Sequence, residues 1–310
     1  MDADPAAVWN AARSMAVLLA ALSAATFGIG DFFGGLSARR MAALLTTVAA
    51  QAAGLGLVLA SCLAISGSPT GRDLLFGALA GVAGAVGLVL FYWAMGQGPM
   101  SVVAPVSAVM SALVPVVAGV AAGERPGVLS TAGILLGLPA IVLISREPTP
   151  VEAAVSERAV EASVHLRAPK RLAARGGLPV VAGTLAGVAF GGFFTLISHT
   201  GEGSGMWPIA AARAAAVVLA GFVALTALPA RPAPRGLAFA ALAGCLDATG
   251  NAFYLLATRQ GLLTLVGVVG AMYPASTVVL ARAVLRERLA PHQAVGLAIA
   301  AGAVALIALG

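Results

Sequence analysis

Charge is scarce in this sequence. Only 10 % of its 310 residues are Asp, Glu, Lys or Arg, where a soluble domain carries about 25 %. Hydrophobic residues make up 60 %, and mean hydropathy is +0.99. A soluble fold of this size has no interior large enough for that much apolar surface, so lipid is the solvent for most of the chain. Aromatics are also few, with three Trp and three Tyr, which excludes a strong aromatic belt at the membrane interfaces. The two cysteines, Cys62 and Cys245, both sit inside apolar runs and form no disulfide or metal framework. The three histidines, His165, His199 and His292, are scattered outside the interiors of the apolar runs, so no metal site is expected and no cofactor is called for. A phosphate-cradling P-loop is missing, which speaks against ATP-driven work by this chain alone. The net charge of +6 does not point to nucleic acid, because the basic residues fall a few at a time between apolar runs rather than in a stripe with interleaved aromatics.

What the sequence does have is length in its apolar runs. A spanning helix needs about 20 largely apolar residues. Ten runs qualify: Ser14–Leu36, Ala42–Ser66, Leu74–Met95, Ser101–Ala122, Val128–Ile144, Leu178–Ser198, Met206–Leu228, Leu237–Thr258, Leu262–Ala281 and Gln293–Leu309. Charge or turn residues punctuate them, as in Gly67-Ser68-Pro69 and Gly123-Glu124-Arg125-Pro126. The fifth run is short and Pro139 interrupts it, so it is the weakest of the ten. The acidic first ten residues contain no basic segment of the kind that opens a signal peptide, so the first run is expected as a retained helix. Residues 146–177 form the one substantial polar stretch, with acids and bases alternating. They read as a linker, with room at most for a short amphipathic helix.

The linker divides the chain into residues 1–145 and 178–310, and the two parts repeat. At an offset of 163 residues, Leu74–Gly98 and Leu237–Gly261 share 11 of 25 positions, and Ser101–Ile144 and Thr264–Ile307 share 12 of 44, without gaps. Phe27-Gly28 falls on Phe190-Gly191, Gly81 on Gly244, Gly87 on Gly250, and Glu124-Arg125 on Glu287-Arg288. Five spans is an odd number, so the second half enters the membrane upside down. The expected fold is therefore an all-α integral membrane protein of ten transmembrane helices in two inverted five-helix repeats. Such a pair can exchange conformations and open a midplane site first to one side and then to the other.

Ten spans, the five-plus-five duplication, Phe-Gly in the first span of each half, and Gly123-Glu124-Arg125 with Arg286-Glu287-Arg288 after the fourth resemble the EamA type of the drug/metabolite transporter superfamily. The likeness covers nearly the whole chain except the linker. Pro274, thirteen residues before Glu287, resembles the family's spacing; in the first half Ser111 holds that place, between Pro105 and Pro115. The resemblance implies a transporter of metabolites, amino acids or drugs, often an exporter, in a multi-pass arrangement in the cytoplasmic membrane. It also implies cytoplasmic termini. The charge count points the other way: Arg13, Arg72, Arg125 and Arg259 lie on the side of the termini, and thirteen Lys and Arg lie opposite. By the positive-inside rule the linker is cytoplasmic and the termini are outside.

Ionisable groups within spans are costly and are functional candidates. There are three: Asp31, Arg213 and Asp247. Asp247 stands mid-span with Asn251 one turn later on the same face. Asp247 and Arg213 are expected to face a shared cavity and to meet each other or a zwitterionic substrate; the bland alternative is a buried pair that fixes packing. Asp31 either lines the cavity, reaches the interface near Arg39 and Arg40, or caps a break at Gly28-Ile29-Gly30. Gln51, Tyr92, Trp93 and Tyr273 are further candidates for cavity walls, with ordinary packing as the competing role. Pro105 and Pro115 in the fourth span and Pro274 in the ninth are candidate gates, since proline frees a carbonyl and bends a helix. Gly77-xxx-Gly81 and Gly133-xxx-Gly137 read as packing seams.

The resulting reading is a secondary transporter of a small molecule in contact with lipid, with protons as candidate coupling partner, as a monomer or a homodimer. An enzyme acting on a lipid-soluble substrate would need a cluster of acid, base or nucleophile at a membrane face, and the only such cluster is the linker, which has no motif. A structural subunit is the third possibility, and buried charges argue against it.

Overall fold

The computed structural model describes residues 5–38, 40–64, 66–97, 100–146, 178–227, 233–285 and 290–310. The first half holds α1 (Pro5–Ala38), α2 (Ala43–Ala64), α3 (Gly71–Gln97), α4 (Met100–Ala121) and α5 (Val128–Ser145). The second holds α6 (Leu178–Ser198), a single 3₁₀ turn at Glu202–Ser204, α7 (Trp207–Ala227), α8 (Pro234–Thr258), α9 (Leu263–Gly270), α10 (Tyr273–Leu285) and α11 (Pro291–Leu309). In hydrocarbon each backbone polar group must be satisfied within its own segment, which is why apolar runs of this length become helices whatever their Val and Gly content. Among the described residues nine stretches are long and apolar enough to cross a membrane, α9 and α10 together making one of them. The fourth helix, apolar over Val106–Ala121, is a shorter tenth.

The prolines act differently in different spans. Helix α5 runs unbroken through Pro139, and α4 runs unbroken through Pro105 and Pro115. Among the described residues only the ninth span divides. Ahead of Pro274 the helix tightens: the Met272 amide reaches Val269 rather than Val268 (3.1 Å), and the Ala275 amide reaches Met272 (3.0 Å). Pro274 has no N–H for the carbonyl of Gly270, and the axis restarts at Tyr273. Helix α1 likewise continues through Gly28-Ile29-Gly30, so Asp31 caps no break. The linker 147–177, including His165, and the Glu287-Arg288 pair lie outside the described residues.

The halves do not sit side by side; they interleave. Helix α1 packs on α8 and, by the repeat, α6 packs on α3. Helix α2 packs on α8 as α7 does on α3, and α1 meets α10 as α6 meets α4. The pairs α2–α7, α4–α9 and α5–α11 join each element to its own counterpart. The two-fold relation therefore passes through the middle of the bundle. Small residues make this possible. A side chain at Gly81 would strike the backbone carbonyl of Ala212, and one at Gly244 the carbonyl of Ala50. Gly77 and Gly81 both lie against α7, so this glycine pair is a seam between halves. Large apolar side chains that find no partner, such as Leu63 and Leu225, form the outer surface, as lipid contact requires.

Candidate functional site

Arg213, Asp247 and Gln51 meet at the centre of the bundle. Arg213 projects from α7 and is 4 % exposed. One guanidinium nitrogen donates to the Gln51 side-chain carbonyl on α2, the other to the Asp247 carboxylate on α8. The planar fork of arginine suits two acceptors held apart by two helices. Gly54 leaves room for it: a Cβ there would lie 3.4 Å from the guanidinium and 2.7 Å from the Gly244 carbonyl. The pair is unequally buried, since the side chain of Arg213 is 5 % exposed and that of Asp247 is 44 % exposed. The cation is enclosed, while the anion faces open space.

On α8 the large exposed apolar residues are Leu237 and Leu242; at about 100° per residue Asp247 lies about 140° round the helix from Leu242 and about 80° from Leu237. On α1 the exposed stripe is Met15, Leu18 and Leu22. Asp31 points about half a turn away from it, on the side of buried Ala20, Ala24 and Phe27, yet is itself exposed. Helices α1 and α8 touch at the level of the two carboxylates: a Cβ on Gly30, next to Asp31, would stand 3.3 Å from the Ala243 carbonyl and 3.5 Å from the Asp247 backbone nitrogen.

Asn251 takes a different course. It is buried, and its amide donates to the Asp247 backbone carbonyl (3.0 Å), back onto its own helix. Pro115 is buried where α4 meets α9, against Gly267. The side chains of Tyr92, Trp93 and Pro105 lie outside the described residues. Gln51 also borders a cavity of about 350 Å³ between α2, α3 and α7. Its walls are Leu44, Thr47, Ala85, Leu88, Val89, Ala216, Leu219, Ala220 and Val223. Only Gln51 and Thr47 among these are polar, so Gln51 links the charged network to an apolar chamber. Among the described residues no cluster of His, Cys, Asp and Glu is arranged to hold a metal.

Three further charged residues, none of them a site candidate from the sequence, tie the side of the membrane that bears the termini. Glu124, after α4, accepts the Leu263 and Thr264 amides at 2.7 and 2.8 Å and so caps α9 of the other half. Asp73, at the start of α3, accepts the Gly201 amide at 2.7 Å and both the amide and hydroxyl of Thr70. Arg259, just past α8, donates to the Gly201 carbonyl, the Ser204 hydroxyl and the Gly205 carbonyl at 2.9–3.2 Å. Burial pulls the Arg259 guanidinium below its usual range, while Glu202 and Asp73 push it back up. The repeated Glu124 was the available signal; nothing in the spacing marked Asp73 or Arg259.

Comparison with curated proteins gives no match. Among solved structures 16 chains match. One of them, described only as the crystal structure of a protein, superposes with a TM-score of 0.72 at 18 % identity, over 96 % of this chain and 99 % of its own. At that identity the likeness concerns the fold. The model of the EamA-like transporter family matches twice, over residues 14–146 and 177–309, and the chain belongs to that family.

Proposed function

We propose that this chain is a secondary transporter that exports a small amino-acid-like or drug-like molecule across the cytoplasmic membrane by alternating access. Residues 1–145 and 178–310 are the two repeats whose near-equivalent conformations exchange, joined by the linker 146–177. The substrate binds at Asp247, Arg213, Gln51 and Asp31, with Tyr273 alongside, and protons supply the drive. The observation that carries this reading is the Arg213–Asp247 pair: a charged pair at the level of the membrane interior, enclosed on its cationic side and open on its anionic side. A pair that served packing alone has no need of an exposed carboxylate, because solvating it inside a membrane protein requires a cavity. The discontinuous ninth span supports the same reading, since broken helices beside a central site are a recurring feature of transporters with inverted repeats.

Support for the direction of transport comes from the distribution of ties. Glu124, Asp73 and Arg259 close the side of the termini, and the apolar cavity lies toward the linker ends of α2 and α7. With the linker in the cytoplasm, as its Lys and Arg require, this is an inward-facing state ready to load substrate for export.

The test is a thermal-shift screen of the purified protein in detergent with amino acids, sugars, nucleosides and organic cations. A ligand at 100 times its Kd stabilises its binding state by about 2.7 kcal/mol. A stabilising ligand whose effect disappears in Asp247→Asn and Arg213→Gln supports the site. A ligand that stabilises both variants as well as the parent protein places the site elsewhere and overturns this assignment.

A further inference from the structure

Gln51 has one polar atom left over. Its side-chain oxygen accepts from Arg213. A guanidinium can only donate, so this bond also fixes which way the amide lies: oxygen toward Arg213, nitrogen away from it. Among the described residues nothing accepts from that Nε2, and it is not one of the unpartnered atoms shut away from solvent. Its hydrogens are therefore available to the cavity of about 350 Å³ that Gln51 borders. That volume falls within the range of small-molecule pockets, about 300–1,000 Å³. No lining residue is ionisable, and Arg213 itself is enclosed and does not line the cavity. The α7 side of the cavity is turned away from lipid. Ala216 and Ala220 are buried there, and each lies about 160° round the helix from Val218, which is 71 % exposed. On α3 the rim is Val89, which continues the exposed row of Val82 and Val86.

Resting on the transporter reading above, we infer that this cavity takes the apolar part of the substrate, and that this part carries a hydrogen-bond acceptor, such as a carbonyl or ether oxygen, to which the Gln51 amide donates. Gln51 then touches the substrate directly, and Arg213 is a positioning residue that acts through it. The donors run one way: Arg213 gives to Gln51, and Gln51 gives to the substrate. An apolar group without an acceptor leaves the amide N–H facing apolar walls with no partner. A group that can only donate meets another donor. Both are disfavoured, because a donor enclosed without a partner loses more than a neutral hydrogen bond gains. The small side chains of Ala85, Ala216 and Ala220 leave the width of the cavity free, and so set the size of what can reach Gln51.

The experiment uses the purified full chain in detergent and three two-ring probes of similar shape. Benzophenone carries an acceptor, diphenylamine a donor, and diphenylmethane neither. Binding is read by thermal stabilisation as a function of probe concentration, corrected for partition of each probe into detergent alone. The expected result is that benzophenone binds about tenfold more tightly than either of the others, and that its carbonyl stretch moves to lower frequency on binding. Gln51→Met and Gln51→Glu should both bring benzophenone down to the level of diphenylmethane. The second variant keeps an acceptor for Arg213 but has no N–H, so its loss is not one of folding. Arg213→Met releases the amide to turn its oxygen to the cavity, and should raise diphenylamine to at least the level of benzophenone, a gain that a purely structural arginine would not produce. Ala220→Phe should weaken benzophenone at least tenfold by filling the cavity. No binding of benzophenone, a preference for it that survives both Gln51 variants, no gain for diphenylamine in Arg213→Met, or indifference to Ala220→Phe each overturns the inference. Equal binding of diphenylmethane to the parent protein also overturns it, and leaves a plain apolar space of the kind a lipid tail fills. All of these outcomes leave the transporter reading in place, because that reading fails on a different result: ligands of the wider screen that stabilise Asp247→Asn and Arg213→Gln as well as the parent.

Discussion

Phe27 lies against Gly250. A Cβ on that glycine would stand 2.7 Å from the ring, and the same contact recurs 163 residues away, where Phe190 covers Gly87 at 2.8 Å. The repeated Phe-Gly of the first spans and the repeated glycines of the third spans are thus one motif, each half supplying the ring for the other half's glycine. Gly250→Ala and Gly87→Ala should each lower stability. Overpacking costs about 1–3 kcal/mol, and the better helix propensity of Ala returns up to about 1 kcal/mol of it. Gly56 and Gly221 have nothing within 4 Å of the corresponding position, so Gly56→Ala and Gly221→Ala should be neutral or stabilising. Thermal unfolding in detergent separates the two sets, and equal Tm changes in both would remove the interlock.

The repeat was legible because its register is gapless and its identities fall on glycines and charges that composition does not explain. So was the meeting of Arg213 with Asp247, because an ionisable group within a span must find a partner. The fate of each proline was not legible. Pro115 is packed within an intact α4, whereas Pro274 begins a new helix, and the difference lies in the neighbouring helices rather than in the residue. Asn251 illustrates a second limit. Its helical spacing places it on the face of Asp247, but an amide one turn on can satisfy itself on the preceding carbonyl, and it does so. Asp73 and Arg259 escaped notice because most of their partners are backbone groups of loops, which leave no mark in a sequence.

Glu124 satisfies the first amides of α9 from a loop of the other half. Removing it in Glu124→Ala leaves two amides at the helix start without that partner and should cost about 0.5–2 kcal/mol. Hydrogen exchange gives a sharper test than stability. The amides of Leu263 and Thr264 should exchange faster in Glu124→Ala, while those in the interior of α6 keep the parent's rate. Unchanged exchange at both positions would mean that the carboxylate does not cap α9.

The loop between α6 and α7 is held from two sides, by Asp73 of the first half and by Arg259 of the second, both acting on Gly201. Hydrogen bonds to charged groups contribute about 1.5–3 kcal/mol each. Asp73→Ala should therefore lower stability by about that much and accelerate exchange of the Gly201 amide. Arg259→Ala should loosen the same loop through Ser204 and Gly205 without freeing that amide. If the Gly201 amide exchanges equally fast in both variants, the loop is held as one unit and Asp73 has no separate hold on it.

The unequal burial of Arg213 and Asp247 gives a directional prediction. Asp247→Leu removes the carboxylate and strands an enclosed guanidinium with Gln51 as its remaining partner. Breaking a buried pair in this way costs about 3–5 kcal/mol. Arg213→Met strands a carboxylate that is 44 % exposed, so hydration replaces much of what is lost. That variant should lose about 1–2 kcal/mol, within the usual range for single substitutions. Combining the two removes both charges together, and the double variant should be more stable than Asp247→Leu alone. Unfolding of the three proteins in one detergent provides the comparison. Equal losses in the two single variants would mean that Asp247 is as enclosed as Arg213, and the open carboxylate on which the binding site rests would be gone.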